Sequence, residues 1–350
     1  MPTLFALGLG VASRNRQGEW LEAYYPQPLA NLASDQASKL LAALADCTFD
    51  SNNTTLALDS TQVQTFANAM SAQDCETCKA QATLASGLTN SSRDIVLVVL
   101  TTDAEPASVP EAYLKLHLLS HRLVKPHQTN LSGIFASLPN IAWTSDGPVA
   151  LDELPERQLE ARKQGRWLSV KSVDKFPPMT DYVVPSGVRI ADTARVRLGA
   201  YVGAGTTIMH EGFINFNAGT AGASMIEGRI SAGVFVGEGS DLGGSSSTMG
   251  TLSGGGNVVI SVGDNCLIGA NAGIGIALGD RCTVEAGLYI TAGTKVNLLD
   301  DESNSVQTIK ARDLSGQSDL LFRRNSLNGA VECKTNRSVI ELNQALHSNN

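Results

Sequence analysis

Two stretches of the 350-residue chain concentrate groups able to do chemistry. The first runs from Met209 to Thr220 (MHEGFINFNAGT) and on through Met225 to Gly233 (MIEGRISAG), and it sets His210, Glu211, Glu227 and Arg229 among small residues. A positioned carboxylate or imidazole can move a proton, and a guanidinium can hold a carboxylate through two parallel hydrogen bonds. The second, Leu242 to Gly256 (LGGSSSTMGTLSGGG), is a flexible polar loop suited to backbone contacts with a ligand. Two other constellations carry less. Cys75-Glu-Thr-Cys78 is a lone CxxC with no second ligand pair for zinc, and the expectation is ordinary reduced thiols. His117 and His121 sit four apart on one expected helix, but with no third ligand or Glu-x-x-His context they read as packing.

The elements that position the first two stretches count in sixes. Ile190, Val196, Val202, Ile208 and Ile214 stand six apart; the phase breaks around Asn217 to Met225 and resumes at Ile230, Val236 and Leu242. After the Gly/Ser-rich interruption it returns at Val262, Ile268 and Ile274, and a four-residue shift leads to Leu278, Val284, Ile290 and Val296. Such a hexapeptide period predicts a β-helix of about five or six coils, each with three short flat sides and roughly 18 residues. One aliphatic residue per side points inward, and small residues form the corners. Glycine and proline agree with this reading. Residues 187–296 hold 24 of the 33 glycines, whereas all twelve prolines lie at or before Pro185, out of ladders that need every N–H. Chemistry belongs where the period fails.

The first 180 residues read as a mixed α/β domain. Asn31–Asp46 has helical apolar spacing, Arg93–Thr101 is a continuous apolar run expected as a buried strand, and Val109–Leu123 is a helix with Pro110 near its start. Gln158–Lys163 is expected to be helical, and proline-rich Val173–Gly187 to be a linker. The expected organisation is an α/β domain over 1–180, a left-handed parallel β-helix over 181–300 and a C-terminal extension over 301–350. The net charge of −8 argues against a global grip on nucleic acid. No uncharged apolar run is long enough for a membrane helix, and the start has no basic residues before its apolar run, so a soluble cytoplasmic protein without a signal peptide is expected.

The two breaks in the repeat, with Gly250–Asn257 (GTLSGGGN), Cys266–Gly275 (CLIGANAGIG), Val284–Val296 (VEAGLYITAGTKV) and Leu321–Ser326 (LFRRNS), make the chain resemble the longer-chain tetrahydrodipicolinate N-succinyltransferases. The resemblance is dense over 185–296, has an island at 310–332, and is looser over the first 180 residues. It implies transfer of a succinyl group from succinyl-CoA to the amine of L-2-amino-6-oxopimelate, the ring-opened acceptor, in the diaminopimelate–lysine pathway. It also implies a homotrimer with active sites between subunits. Glu227 corresponds to the family's proposed catalytic residue, as nucleophile through an acyl anhydride or as general base. His210 is the runner-up base, since many hexapeptide acyltransferases use a histidine. The implied binding set is Arg229 for a carboxylate, and Gly244, Ser247, Ala270, Glu285, Ala286, Gly293, Lys310, Arg323, Arg324, Asn325 and Ser326 for the donor. Related enzymes hold a magnesium ion on the trimer axis; here Glu211 matches one ligand, but Ala194 stands where an aspartate would be the other.

Other classes fit less well. A γ-type carbonic anhydrase needs three histidines per zinc, and the repeat has one. A uridylyltransferase fusion would open on a Gly-rich nucleotide loop that is missing here. A sugar or serine acyltransferase stays open, as does a non-catalytic scaffold, although a scaffold has no reason to interrupt its repeat with Glu227 and Arg229.

Overall fold

The computed structural model describes residues 4–45, 52–250, 259–300 and 302–335. These form two compact units: residues up to 124 with 128–177 and 181–183, and residues 125–127 and 178–180 with everything from 184 onward.

In the first unit an antiparallel sheet runs in the order Trp20–Tyr24, Ala6–Arg14, Asp94–Leu100, Thr54–Leu58, with Leu29–Ala30 also on the Ala6–Arg14 strand. Alternation puts Leu7, Leu9, Ile95, Leu97 and Val99 on one face, against helices Ser34–Ala45, Ser60–Ser71 and Glu76–Leu88. Cys75 and Cys78 are free and belong to this core, so the CxxC is packing. Helix Val109–Ser120, N-capped by Ser108, packs on the same sheet. Its His117 is fully buried, its Nδ1 bonded to the Tyr113 carbonyl and its Nε2 accepting the Tyr25 N–H. Both ring nitrogens are engaged, as the packing reading requires. A smaller sheet, Gly147–Ala150, Ile141–Thr144 and Val170–Asp174, accompanies helix Leu154–Lys163. The stretch expected as a linker, Val173–Gly187, holds the boundary between the two units and also carries packed residues. Val173 lies in a strand, Met179–Asp181 is a 3-10 turn, and Phe176, Met179 and Val183 are buried, because this proline-rich stretch carries apolar anchors.

The second unit is a left-handed parallel β-helix with three sheets as its sides. Ile190, Ile208, Ile226, Leu242, Ile268 and Val284 align on the first side. Val196, Ile214, Ile230, Thr248, Ile274 and Ile290 align on the second. Val202, Thr220, Val236, Val262 and Leu278 align on the third. The expected loss of phase at Asn217–Met225 does not occur. Thr220 is fully buried in the inward slot, its hydroxyl bonded to that of Thr206 at 2.7 Å, so the count continues to Ile226. The real shift is the four-residue step from Ile226 to Ile230, which shortens the corner carrying Glu227. The flexible loop expected over Leu242–Gly256 is corrected in its first part, where Leu242 and Thr248 hold inward slots of the first and second sides; residues 251–256 lie outside the described residues.

Beyond Thr291 the chain changes habit. Lys295–Leu299 pairs with Ser305–Lys310 as an antiparallel hairpin. Leu320–Arg324 then adds a parallel strand to the first side, Phe322 opposite Val284 and fully buried, and Val331–Thr335 pairs with it.

Candidate active site

The corner between the first and second sides stacks most of the residues singled out in the sequence. In chain order its levels hold Met209-His210-Glu211, Glu227-Gly228, Gly243-Gly244-Ser245, Gly269-Ala270-Asn271 and Glu285-Ala286-Gly287, each directly after an inward residue of the first side. The levels are tied by Ser245 N–H to the Glu227 carbonyl (3.2 Å), Asn271 N–H to that of Gly244 (2.9 Å) and Gly287 N–H to that of Ala270 (2.8 Å). Ser245, Asn271 and Gly287 all adopt positive φ (58°, 57° and 73°), which turns the chain onto the second side.

Glu227 is half-buried; His210 and Glu211 are exposed. A Cβ placed on Gly244 would lie 3.5 Å from an oxygen of Glu211 and 3.5 Å from an oxygen of Glu227. Two carboxylates from successive coils therefore border one small space over a glycine. A cation such as an ammonium suits that space, because it lowers the repulsion of two acids side by side. Gly228 is required by close approach: a Cβ there would meet the Ser246 hydroxyl at 2.1 Å. Arg229 opens the second side, exposed, with Nη2 donating to the Ser247 hydroxyl at 2.6 Å.

At the far end of the corner Glu285 accepts the Arg324 backbone N–H at 2.6 Å, joining LFRRNS to the stack. Arg323 and Asn325 both donate to the Glu332 carboxylate, at 3.0 and 2.7 Å, and Glu332 is buried. Arg323 is thus neutralised in place, whereas Arg324 is exposed, its Nη1 donating to the Gly329 carbonyl at 3.0 Å. Ser326 is exposed in the turn that follows. Gly293 and Lys310 are not on this corner. Gly293 is exposed past the other end of the second side, and Lys310 pairs with Lys295 in the hairpin.

Full-chain comparisons decide the family. Sequence profiles described as tetrahydrodipicolinate N-succinyltransferase N-terminal and middle match residues 53–136 and 138–177, and one described as hexapeptide repeat of succinyl-transferase matches 259–292. A 2,3,4,5-tetrahydropyridine-2,6-dicarboxylate N-succinyltransferase of Pseudomonas putida is 65% identical over 349 residues, 99% of each chain. The enzyme of that name from Vibrio cholerae is 59% identical over 347 residues, again 99% of each. The chain belongs to the tetrahydrodipicolinate N-succinyltransferase family. A Campylobacter jejuni crystal structure described as a 2,3,4,5-tetrahydropyridine-2-carboxylate N-succinyltransferase superposes with a TM-score of 0.87 at 33% identity, covering 97% of this chain and 94% of that one. Family character extends through the N-terminal unit, where the motifs alone showed a looser likeness.

Sequence reasoning passed over three residues at this corner. Arg195 donates from Nε to the Gly212 carbonyl (3.1 Å) and from Nη2 to that of Glu211 (3.0 Å), so it holds the backbone under Glu211. Tyr289 lies over Gly273, whose Cβ would meet its ring at 2.1 Å. Glu332 fixes Arg323 and Asn325. Each needs the coil register to be known, and register depends on where the four-residue steps fall.

Proposed function

We propose that this corner transfers the succinyl group of succinyl-CoA to the amine of L-2-amino-6-oxopimelate, giving the N-succinyl product and CoA in diaminopimelate and lysine biosynthesis. The carrying observation is the pair of Glu211 and Glu227 oxygens bordering one point at Gly244, beside Arg229. The acceptor amine is an ammonium near neutral pH and must lose a proton before it attacks a thioester. Glu227, the more buried of the two acids, takes that proton as general base. The amine attacks the thioester carbonyl, a C–N bond forms, the C–S bond breaks, and CoA leaves as the thiol after protonation. Arg229 holds a carboxylate of a diacid. Glu211 supplies negative charge that favours the ammonium on arrival.

The donor lies along Gly244, Ser247, Ala270, Glu285 and Ala286, where small residues let pantetheine approach the corner. Arg324, Asn325, Ser326, Gly293 and Lys310 meet its far end, and Arg323 acts through the Glu332 pairing that shapes the turn. In this reading residues 301–350 complete the CoA site, the protein works as a cytoplasmic homotrimer, and a neighbouring subunit closes each corner. Among the described residues no group of three His, Cys, Asp or Glu is placed to hold a metal, and Ala194 offers no side-chain oxygen. One chain does not fit a magnesium ion, so no step runs through one. Three Glu211 copies around a trimer axis are the arrangement that would bind it.

Thiol release from succinyl-CoA tests the substrate assignment. 2-Aminopimelate, an acyclic diacid amine, is expected to drive it, while serine and glucosamine leave it at background. Release with serine or the sugar amine, and none with the diacid amine, would overturn the assignment in favour of another hexapeptide acyltransferase.

A further inference from the structure

The N-terminal unit has two adjoining clefts for which the acyl transfer has no use. One, of about 460 Å³, is lined by Arg14, Arg93, Arg157 and Arg166; the other, of about 350 Å³, by Tyr24, Trp143, Tyr182 and Lys171. Arg93 and Pro148 line both. Three of the four arginines are paired with carboxylates: Arg14 with Asp94 at 3.1 Å, Arg166 with Asp146 at 3.0 Å, and Arg157 with Glu153 at 3.8 Å. Among the described residues the Arg93 guanidinium has no carboxylate within ion-pair distance; it donates to the Ser13 hydroxyl and lies over Gly147.

That hydroxyl is itself fixed. Ser13 Oγ accepts from Arg93 and donates to Glu22, and Glu22, 7% exposed, also accepts the Tyr182 hydroxyl at 3.2 Å. Burial pushes the Glu22 carboxyl up, and its two donors and Arg93 act against that. A buried acid is costly, and here it orients a hydroxyl that orients a guanidinium. The result is a pre-set cation at the junction of two clefts with most of its N–H groups unspent.

We propose that Arg93 anchors a small-dicarboxylate site in the N-terminal unit. One carboxylate sits on the Arg93 fork, the carbon chain lies against Tyr24 and Trp143, and the second carboxylate meets Lys171. The ligand resembles the diacids handled at the corner, so the site offers the enzyme a means of sensing them.

Calorimetric titration of the full chain with pimelate tests this. Wild type is expected to show two sites per chain, Arg93→Gln one, and Arg229→Gln the other one. Lys171→Gln is expected to weaken the Arg93 site at least tenfold for pimelate while leaving butyrate, a monocarboxylate, within twofold. Ser13→Ala, which keeps the arginine but frees it, should weaken both ligands. Two sites surviving in Arg93→Gln, or a single site in wild type that only Arg229→Gln removes, would overturn the proposal without touching the acyl-transfer reading. Tighter binding of inorganic phosphate than of pimelate at the Arg93-dependent site would overturn the carboxylate assignment.

Discussion

Gly244 is where a single methyl group separates binding from exclusion. The nearest atoms to its Cβ position are the two carboxylate oxygens at 3.5 Å, an ordinary contact distance, so an alanine fits without strain. It would nevertheless fill the space assigned to the ammonium. Gly244→Ala is expected to leave the melting temperature within about 2 °C of wild type and to lower kcat/KM for the acceptor by roughly 10-fold or more, as loss of a well-placed charge contact implies. An unchanged kcat/KM would show that the amine does not sit between Glu211 and Glu227. Glu227 and Arg229 were legible in the sequence because acids and arginines are conspicuous among small residues. Arg195 and Glu332 were not, since they act on backbone carbonyls and on other side chains across coils that only register brings together.

At the scale of the element, the hexad pattern read most aliphatic slots, missed Ile226, ran on to Val296 in the hairpin, and lost the slots filled by threonine. Thr220 and Thr248 are inward, at 0% and 1% exposure, yet they look like interruptions in a pattern defined by Ile, Val and Leu. A β-branched residue fits the narrow prism whether or not one of its branches is a hydroxyl, provided the hydroxyl is bonded, as Thr220 is to Thr206 and the Gly203 N–H. Thr220→Val should therefore change stability by no more than about 1.5 kcal/mol, the net worth of an exchanged hydrogen bond. Thr220→Glu, burying an unpaired carboxylate, should cost at least about 3 kcal/mol. Chemical denaturation monitored by circular dichroism measures both, and a Glu variant as stable as wild type would place position 220 outside the prism. The Val173–Gly187 stretch was legible only in part: its proline content signals the irregular backbone at the unit boundary, but burial of Phe176, Met179 and Val183 depends on packing the composition does not encode.

Across the whole molecule, acid tolerance is set in the N-terminal unit. Burial holds His117 near a pKa of about 3, with the Tyr113 carbonyl acting against the shift, so the folded protein keeps this imidazole neutral where an unfolded chain would protonate it. Its contribution is complete above about pH 6.5 and is lost as pH falls toward 3, on the order of several kcal/mol over that window. His121, stacked on it, is shifted down by burial as well and adds in the same direction; the raised Glu22 carboxyl opposes them. His117→Asn should flatten the fall of stability between pH 6.5 and 4 relative to wild type, read from urea midpoints at each pH. Parallel curves would remove the imidazole from the account. The glycine excess, visible from composition, belongs to the other unit: most of it turns corners, and at Gly228 and Gly244 it makes room beside Glu227.

The claim that Glu227 removes the acceptor's proton is tested most directly by stopped-flow detection of free CoA thiol, for wild type and Glu227→Gln, with and without 2-aminopimelate. The account predicts no burst from succinyl-CoA alone, rapid release once the amine is added, and a rate roughly 10²- to 10⁴-fold lower in Glu227→Gln. A wild-type rate in the Gln variant would contradict any catalytic role for Glu227. A stoichiometric burst from wild type without acceptor, absent in the variant, would make Glu227 the nucleophile of an acyl anhydride instead.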